Sequence, residues 1–294
     1  MFMATGFYQR SVVTGLGTLV YAAPTSFWQA DDGRSPLVFF HGFGGGSSAY
    51  EWAHVYPAFA YDYCPIAPDL IGWGGSDHPA RAYTIDDYLE TITQFLEKTC
   101  DRPVSVVASS LTAAMVIRVA IVRPELFKSL VLVAPAGISD FGEDYTRSFF
   151  AQLVSTPILD RVLYSTALAT SGGIRSFLEQ RQFAQRSRVS EEIVSAYLAS
   201  AQQPNADYAA LSFVRGDLCF DLSRYIGQLT IPTAIIWGAE SQFTPVDIGR
   251  RLAEINPTAV RAFEVIPDVG LTPHLELPAV TTGLIQKFLR QLDD

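Results

Sequence analysis

The chain contains 294 residues, with 21 basic against 30 acidic side chains and a formal net charge of −9 at pH 7. Apolar residues make up 49% of the chain and charged residues 17%, which is enough to build a hydrophobic core and unlike a disordered or fibrous protein. The acidic balance argues against a nucleic-acid partner, because such proteins need a basic surface.

The cysteines and the apolar runs indicate a cellular setting. Cys64, Cys100 and Cys219 are odd in number and lack the spacing of a metal site, so we expect no disulfide framework and no metal. The first ten residues lack the basic and apolar stretches of a signal peptide. The most apolar run, residues 111–122, includes Arg118 and is too short to cross a bilayer. These features predict a soluble cytoplasmic protein.

Short apolar runs alternate with helical patterns over the first half of the chain. Two strands within residues 11–21 turn at Gly15 to Gly17, and further strands are predicted at 37–40, 64–68, 104–108 and 129–134. Helices are predicted at 85–98 and 113–122. Alternation of strands and helices is typical of a parallel sheet covered on both faces.

The pattern changes after the strand at 129–134. From 138 to 224 the apolar spacing is helical and strand candidates are absent. Strand patterns return at 233–237 and 262–266, and a last helix is predicted at 280–292. We therefore expect an α/β core formed by residues 1–137 and 225–294, with a helical cap formed by residues 138–224.

A candidate nucleophile follows the predicted strand at 104–108. The segment VASSLTA places Ser110 where a strand becomes a helix, which is the setting of a nucleophile elbow. The glycines of the G-x-S-x-G pattern are replaced by Ala108 and Thr112, so the motif is weak by itself. A serine at a helix start can also act as an N-cap, which is the alternative role for Ser110.

Several further segments stand in a familiar order. The strand at 37–40 leads into HGFGG at 41–45, and PDLIGWGGSD follows at 68–77. Pro232 and the pair WG at 237–238 come later, followed by IPDVG at 266–270 and PHLELP at 273–278. In this order and spacing the chain resembles the α/β-hydrolase superfamily, in its capped branch of esterases, dehalogenases, epoxide hydrolases and C–C hydrolases. The resemblance implies a mostly parallel eight-stranded sheet flanked by helices, with a helical cap.

The same resemblance implies a degenerate catalytic triad. Ser110 takes the place of the nucleophile, and the backbone amides of Phe43 and Leu111 take the place of the oxyanion hole, for which no particular side chain is needed. The general base of the family follows the glycine at 270, where this chain has Leu271. The acid normally stands where this chain has Ser241.

Nearby residues are candidates for the missing roles. His274 lies three residues after Leu271, so a coiled loop would put both on one face and let His274 serve as the base. Glu240 and, after the preceding strand, Asp140 are candidates for the acid. The structural alternatives are a packing histidine at 274 and solvated carboxylates at 240 and 140. His41 braces the oxyanion loop in the family and is not expected to move protons.

The predicted cap is rich in aromatic side chains, among them Tyr145 and Phe149. Such stripes at helical spacing usually form a core, but the inner face of a cap also forms the roof of a substrate pocket. With His41 and Gly42 in the oxyanion loop and Leu271 on the floor, we expect a pocket for a lipid-like, terpenoid or aromatic ligand.

Three functions are compatible with these residues. The first is an esterase-like serine hydrolase that acts through Ser110 on an apolar ester, with His274 or another group as base. The second is an inactive hydrolase fold that binds or senses an apolar ligand or docks a partner. The third is a lyase or cyclase that polarises its substrate with the amides of Phe43 and Leu111. No phosphate loop or dinucleotide fingerprint is present in the sequence, so no cofactor is expected.

Overall fold

The computed structural model of the protein describes residues 3–25, 33–142 and 163–293. A sheet of eight strands runs through its centre. The strands are β1 Phe7–Thr14, β2 Gly17–Pro24, β3 Ser35–Phe40, β4 Tyr63–Pro68, β5 Val104–Ser109, β6 Phe127–Val133, β7 Thr233–Gly238 and β8 Val260–Ile266. Their order in the sheet is β1-β2-β4-β3-β5-β6-β7-β8. β2 pairs antiparallel with β1 and β4, and every other pair is parallel. The predicted fold class is confirmed.

Helices cover both faces of this sheet, and further helices lie in the chain after β6. The α-helices are α1 Ile85–Thr99, α2 Ser110–Val122, α3 Ser171–Phe177, α4 Glu191–Ala201, α5 Ala206–Val214, α6 Val246–Ile255, α7 Pro273–Glu276 and α8 Pro278–Asp293. Within the described ranges, none of the helices is both long enough and apolar enough to span a membrane.

The sequence accounts for the sheet and for its first covering helix. Every residue of β5 and of β7 is buried, and a strand covered on both faces reads as a continuous apolar run for this reason. At the start of α1, Thr84 and Asp87 form a capping box, in which each side chain accepts a hydrogen bond from the backbone of the other. Helix α1 then buries Ile92 and Phe95 among its inner side chains.

The parallel pairing of β3, β5, β6, β7 and β8 decides where chemistry can take place. The carboxyl ends of parallel strands lie along one edge of the sheet, and ligands bind in α/β proteins at that edge. The HGFGG loop follows β3, Ser110 follows β5, and the segments with Ser241 and Leu271 follow β7 and β8. All four segments therefore meet at one edge.

Described residues between β6 and β7 contact the loops at this edge: Ser200 Oγ donates to the Ser47 carbonyl, and the Gln182 carbonyl accepts from the Leu271 N–H. We keep the predicted bounds and call residues 138–224 the cap. Its described part contains α3, α4 and α5, together with two π-helical segments, Tyr164–Leu168 and Leu178–Gln182. The two ends of the cap meet where Ile138 forms an isolated β-bridge with Phe220, and Phe220 N–H donates to the Gly137 carbonyl at 2.8 Å. The cap thus leaves and rejoins the core at a single place.

Candidate active site

Ser110 occupies a strained position between β5 and α2. Its φ angle is +55°, in the left-handed region that residues with a side chain rarely adopt, at a cost of about 1–3 kcal/mol. The sharp turn is possible because the neighbouring Ala108 and Ala113 are small and lie completely buried between strand and helix. Such strain persists where the surrounding structure enforces it, and here it places the serine at the carboxyl edge of the sheet.

The hydroxyl of Ser110 does not cap the helix. The N-cap residue of α2 is Ser109, and no side-chain hydrogen bond closes that cap. The Ser109 hydroxyl is buried without a hydrogen-bond partner. In the part of the chain that the structure describes, the Ser110 hydroxyl has no hydrogen-bond partner either, so the N-cap alternative does not account for it.

The oxyanion loop lies directly against Ser110. A Cβ atom on Gly42 would stand only 3.3 Å from the Ser110 Cβ and 3.2 Å from the Ser109 Oγ, so this approach favours glycine. The Phe43 side chain packs into the core, with its ring edge-on to Trp73 at 5.2 Å. The side chain of Leu111 is completely buried as well, so both residues can offer the site only their backbone groups.

The amides expected to form the oxyanion hole are free to bind a ligand oxygen. Neither the Phe43 N–H nor the Leu111 N–H donates a hydrogen bond to any residue within 3–25, 33–142 or 163–293. Leu111 lies in the first turn of α2, where backbone N–H groups have no partner inside the helix and attract negative charge. Two backbone donors next to a serine hydroxyl can stabilise an oxyanion formed on a bound carbonyl.

His41 holds this loop in place. Leu70 N–H donates to His41 Nε2 at 3.0 Å, so that nitrogen carries no proton. The proton is on Nδ1, which donates to the Gly42 carbonyl at 2.7 Å. His41 is therefore a neutral, completely buried brace, as the resemblance to the family implies.

An apolar side chain stands on the other side of the site. Leu271 follows β8 and is 8% exposed, and its N–H donates to the carbonyl of Gln182 in the cap at 2.9 Å. Leucine accepts no proton, so this position provides no general base.

His274 lies between Trp52 and Glu51. It lies in α7, completely buried, with its ring stacked on Trp52 at 4.0 Å between centroids. Its Nε2 lies 3.6 Å from Oε2 of Glu51, and neither ring nitrogen has a hydrogen-bond partner. The carboxylate beside His274 is therefore that of Glu51, and the roles of His274 as base and of Glu240 as acid stay predictions.

The other candidate acids differ in burial and in their hydrogen bonds. Glu240 is exposed, and its side chain has no hydrogen-bond or ion-pair partner among the described residues. Ser241 is buried with an unpartnered hydroxyl. Asp140 is buried where the cap meets the core and accepts hydrogen bonds from the N–H groups of Leu222 at 2.7 Å and Gly137 at 3.0 Å. Burial, only partly offset by these bonds, raises the pKa of Asp140 to about 6.

Glu51 is the residue that the sequence analysis missed. Its carboxylate is completely buried and accepts hydrogen bonds from Gly42 N–H at 2.9 Å and from the Tyr197 hydroxyl at 3.0 Å. Burial alone would raise the pKa of Glu51, but the adjacent His274 outweighs burial and lowers the pKa to about 2. The available signal was a lone carboxylate between two aromatic residues, in the segment YEW.

The cap is attached to the segment that carries Leu271. The carboxylate of Glu276 accepts hydrogen bonds from Gly270 N–H at 2.6 Å, from Ala184 N–H at 3.1 Å and from the Arg188 guanidinium at 3.1 Å.

Tyr145 and Phe149, expected in the pocket roof, lie outside the described residues. Over 3–25, 33–142 and 163–293, no group of three or more His, Cys, Asp or Glu side chains could hold a metal ion.

Comparisons with known proteins identify the fold family of the chain. The family model described as alpha/beta hydrolase fold matches residues 35–276. The chain is 27% identical to the uncharacterized hydrolase YugF of Bacillus subtilis, covering 88% of this chain and 91% of that protein. It is 25% identical to 2-hydroxy-6-oxo-6-(2'-aminophenyl)hexa-2,4-dienoic acid hydrolase of Metapseudomonas resinovorans, covering 92% and 89%.

Solved structures show the same architecture. A serine hydrolase involved in carbazole degradation superimposes with a TM-score of 0.76 at 21% identity, covering 97% of this chain and 99% of that one. The epoxide hydrolase CorEH superimposes with a TM-score of 0.78 at 19% identity, covering 97% and 99%.

Proposed function

Since the chain belongs to the α/β-hydrolase fold family, we propose that it is an esterase-like serine hydrolase in which Ser110 attacks the carbonyl carbon of an apolar ester. The fold and the hydrolases among its relatives support a hydrolase-type function. The observation that carries the finer proposal is Ser110 itself, held at a φ of +55° beside Gly42 of the oxyanion loop.

The reaction would use the oxyanion half of the site. The substrate carbonyl oxygen would accept hydrogen bonds from the N–H groups of Phe43 and Leu111, while the Ser110 oxygen forms the new bond to the carbonyl carbon. The Ser110 hydroxyl proton passes to the leaving oxygen, so the alcohol departs and an acyl-serine remains. Water then adds to the acyl carbon, the acid is released, and a proton from that water returns to the Ser110 oxygen. Preorganised backbone donors of this kind contribute about 10²–10³-fold each in related sites.

Leu271 makes both steps slow. Removal of the base from a serine triad costs about 10⁶-fold in turnover, whereas the oxyanion hole and substrate binding retain about 10³–10⁴-fold over water. Deacylation needs the same base to activate water. We therefore expect slow acylation and a long-lived acyl-serine, unless another group accepts the proton.

Apolar side chains around the loop favour an apolar substrate. Phe213 of the cap packs on Phe43 with 6.0 Å between ring centroids. Phe177, also in the cap, reaches over the loop, its Cε1 3.7 Å from the place where a Cβ on Gly44 would be. Together with Leu271 these rings present an apolar surface, which binds hydrocarbon and excludes water.

A second candidate function is binding without turnover. It is favoured by Leu271, which replaces the base, and by His274, which is completely buried against Trp52. In this case the carbonyl or carboxylate of a small apolar ligand would occupy the same two amides, and the protein would carry or sense that ligand or dock a partner.

A fluorophosphonate probe with intact-mass readout tests the proposal. The probe forms a covalent adduct only with an activated serine in a working oxyanion hole. We expect an adduct on the native chain and none on Ser110→Ala, with Ser109→Ala as the matched control that still reacts. His274→Ala tests the expected base directly, because a strong loss of rate on folded protein would support it. No adduct on the folded native chain would refute the hydrolase proposal and leave the binding function.

A further inference from the structure

A buried carboxylate lies directly behind the oxyanion loop. The two oxygens of Glu51 point in different directions, Oε2 to the N–H of Gly42 and Oε1 to the hydroxyl of Tyr197 in the cap. A Cβ on Gly42 would stand 3.7 Å from Glu51 Oε2 and 3.3 Å from the Ser110 Cβ. Glu51 and the nucleophile thus both lie close to the same glycine.

The hydrogen bonds at Gly42 control the direction of the Phe43 amide. In a trans peptide unit, the C=O of one residue and the N–H of the next lie in one plane and point in opposite directions. His41, bound to the Gly42 carbonyl, therefore fixes the plane that contains the Phe43 N–H. Glu51, bound to the Gly42 N–H, fixes the preceding peptide unit. Because the dihedral angles of glycine change easily, hydrogen bonds from other residues are needed to fix the peptide planes on both sides of Gly42.

The hydrogen-bond network of Glu51 extends into the cap. Gln182 Nε2 donates to the Tyr197 hydroxyl oxygen at 2.9 Å and to Thr272 Oγ1 at 3.3 Å. The hydroxyl hydrogen of Tyr197 is thereby directed to Glu51, and all four side chains are buried. A second bond ties the same places together, because Ser200 Oγ in the cap donates to the Ser47 carbonyl at 3.0 Å.

We propose that Glu51 is a positioning residue, which sets the oxyanion loop and makes its geometry depend on a correctly seated cap through Tyr197. His274 lies beside Glu51 in this arrangement, with its Nε2 3.6 Å from Oε2 of the carboxylate. The proposal rests on the proposed function, since it concerns the same oxyanion hole. It assigns His274 a structural partner and no proton transfer with Ser110.

The test compares variants that keep the buried shape. Glu51→Gln removes the charge of the carboxylate, and Tyr197→Phe removes the link to the cap without touching the Gly42 bond. The matched control is Tyr164→Phe, because Tyr164 is another buried cap tyrosine, whose hydroxyl donates to the Ala201 carbonyl at 2.9 Å and not to Glu51.

The readout is the rate of fluorophosphonate labelling across probe concentrations at a temperature where each variant is folded. We expect the maximal rate to fall at least about tenfold in Glu51→Gln and by a smaller factor in Tyr197→Phe. The half-saturating probe concentration should stay unchanged in both variants. The labelling rate of Tyr164→Phe should equal that of the native chain. A merely structural role would lower the melting temperature and leave the maximal rate of folded protein unchanged, and that result would overturn the proposal.

Amide hydrogen exchange of residues 41–47 separates this proposal from the proposed function. If the native chain forms no adduct, the hydrolase function fails but the exchange measurement still applies. Faster exchange of this segment in Glu51→Gln and Tyr197→Phe, with native exchange in Tyr164→Phe, would support the positioning role. Native exchange in Tyr197→Phe would overturn it, even if Glu51→Gln does not fold.

Discussion

The two halves of the candidate site differ in the catalytic groups that they contain. After β3 and β5, the half with Ser110 presents a strained serine, two amides without a partner among the described residues and a braced glycine loop. After β7 and β8, the half expected to hold acid and base presents Ser241 and Leu271. Oxyanion stabilisation needs backbone donors, which many sequences can provide, whereas proton transfer needs particular side chains. One half can therefore be lost while the other stays intact.

The largest expected effect comes from restoring the base. Leu271→His places an imidazole where the family has one, and we expect ester hydrolysis and fluorophosphonate labelling to rise about 10²–10⁴-fold, because a positioned general base contributes that factor. Adding Ser241→Asp supplies the acid and should raise the rate further. The matched control is Leu271→Gln, which is polar but cannot act as a base. Equal rates in Leu271→His and Leu271→Gln would show that the oxyanion half is not competent.

A second prediction concerns the buried pair of Glu51 and His274. His274→Phe keeps a ring on Trp52 but removes the imidazole from beside the buried Glu51 carboxylate, and we expect the free energy of unfolding to fall by about 3–5 kcal/mol. Urea denaturation measures this loss. The double variant with Glu51→Gln should recover a large part of it, because the uncompensated charge is then gone. Additive losses in the double variant would mean that the two residues do not interact.

A third prediction uses the pH dependence of stability. The pKa of Asp140 is about 6 in the fold against 3.8 without it, so the folded state binds the proton more tightly. Its stabilising contribution is present below about pH 4 and is lost as the pH rises through 6, by roughly 2–3 kcal/mol. Asp140→Asn should lose less stability than the native chain between about pH 4 and 7, measured by urea denaturation. Parallel curves for the two proteins would contradict the assignment.

The smallest effect is expected at Glu240. Its side chain is exposed and unpartnered among the described residues, so Glu240→Gln should change the free energy of unfolding by less than about 0.5 kcal/mol and leave labelling unchanged. A large loss of labelling rate would restore Glu240 as an acid that acts through a rearranged site. The comparison of the two halves would then need revision.

Local patterns predicted most of the fold. The strands at 37–40, 104–108 and 233–237 were each found within one or two residues, because fully buried strands read as unbroken apolar runs. The helix predicted at 113–122 begins earlier, at Ser110, since it follows β5 with no intervening loop. Helix α6 was not predicted.

The site was predictable only where it depends on neighbours in sequence. Ser110 and the HGFGG loop were identified from short motifs next to strands. Glu51 was not, because its partner Tyr197 lies 146 residues away and nothing in either segment indicates the contact. His274 was placed correctly in the segment after Leu271, but its direction depends on stacking with Trp52, which the sequence does not show.

The bond between Leu271 and the cap has a consequence for engineering. Residue 271 binds the cap with its backbone N–H, and its side chain takes no part in that bond. A substitution there can change reactivity without loosening the attachment of the cap, which also relies on Glu276. The reactivity of the site and the attachment of the cap can therefore be changed separately at this position. Libraries at residue 271 can test new bases and nucleophiles while the cap stays attached.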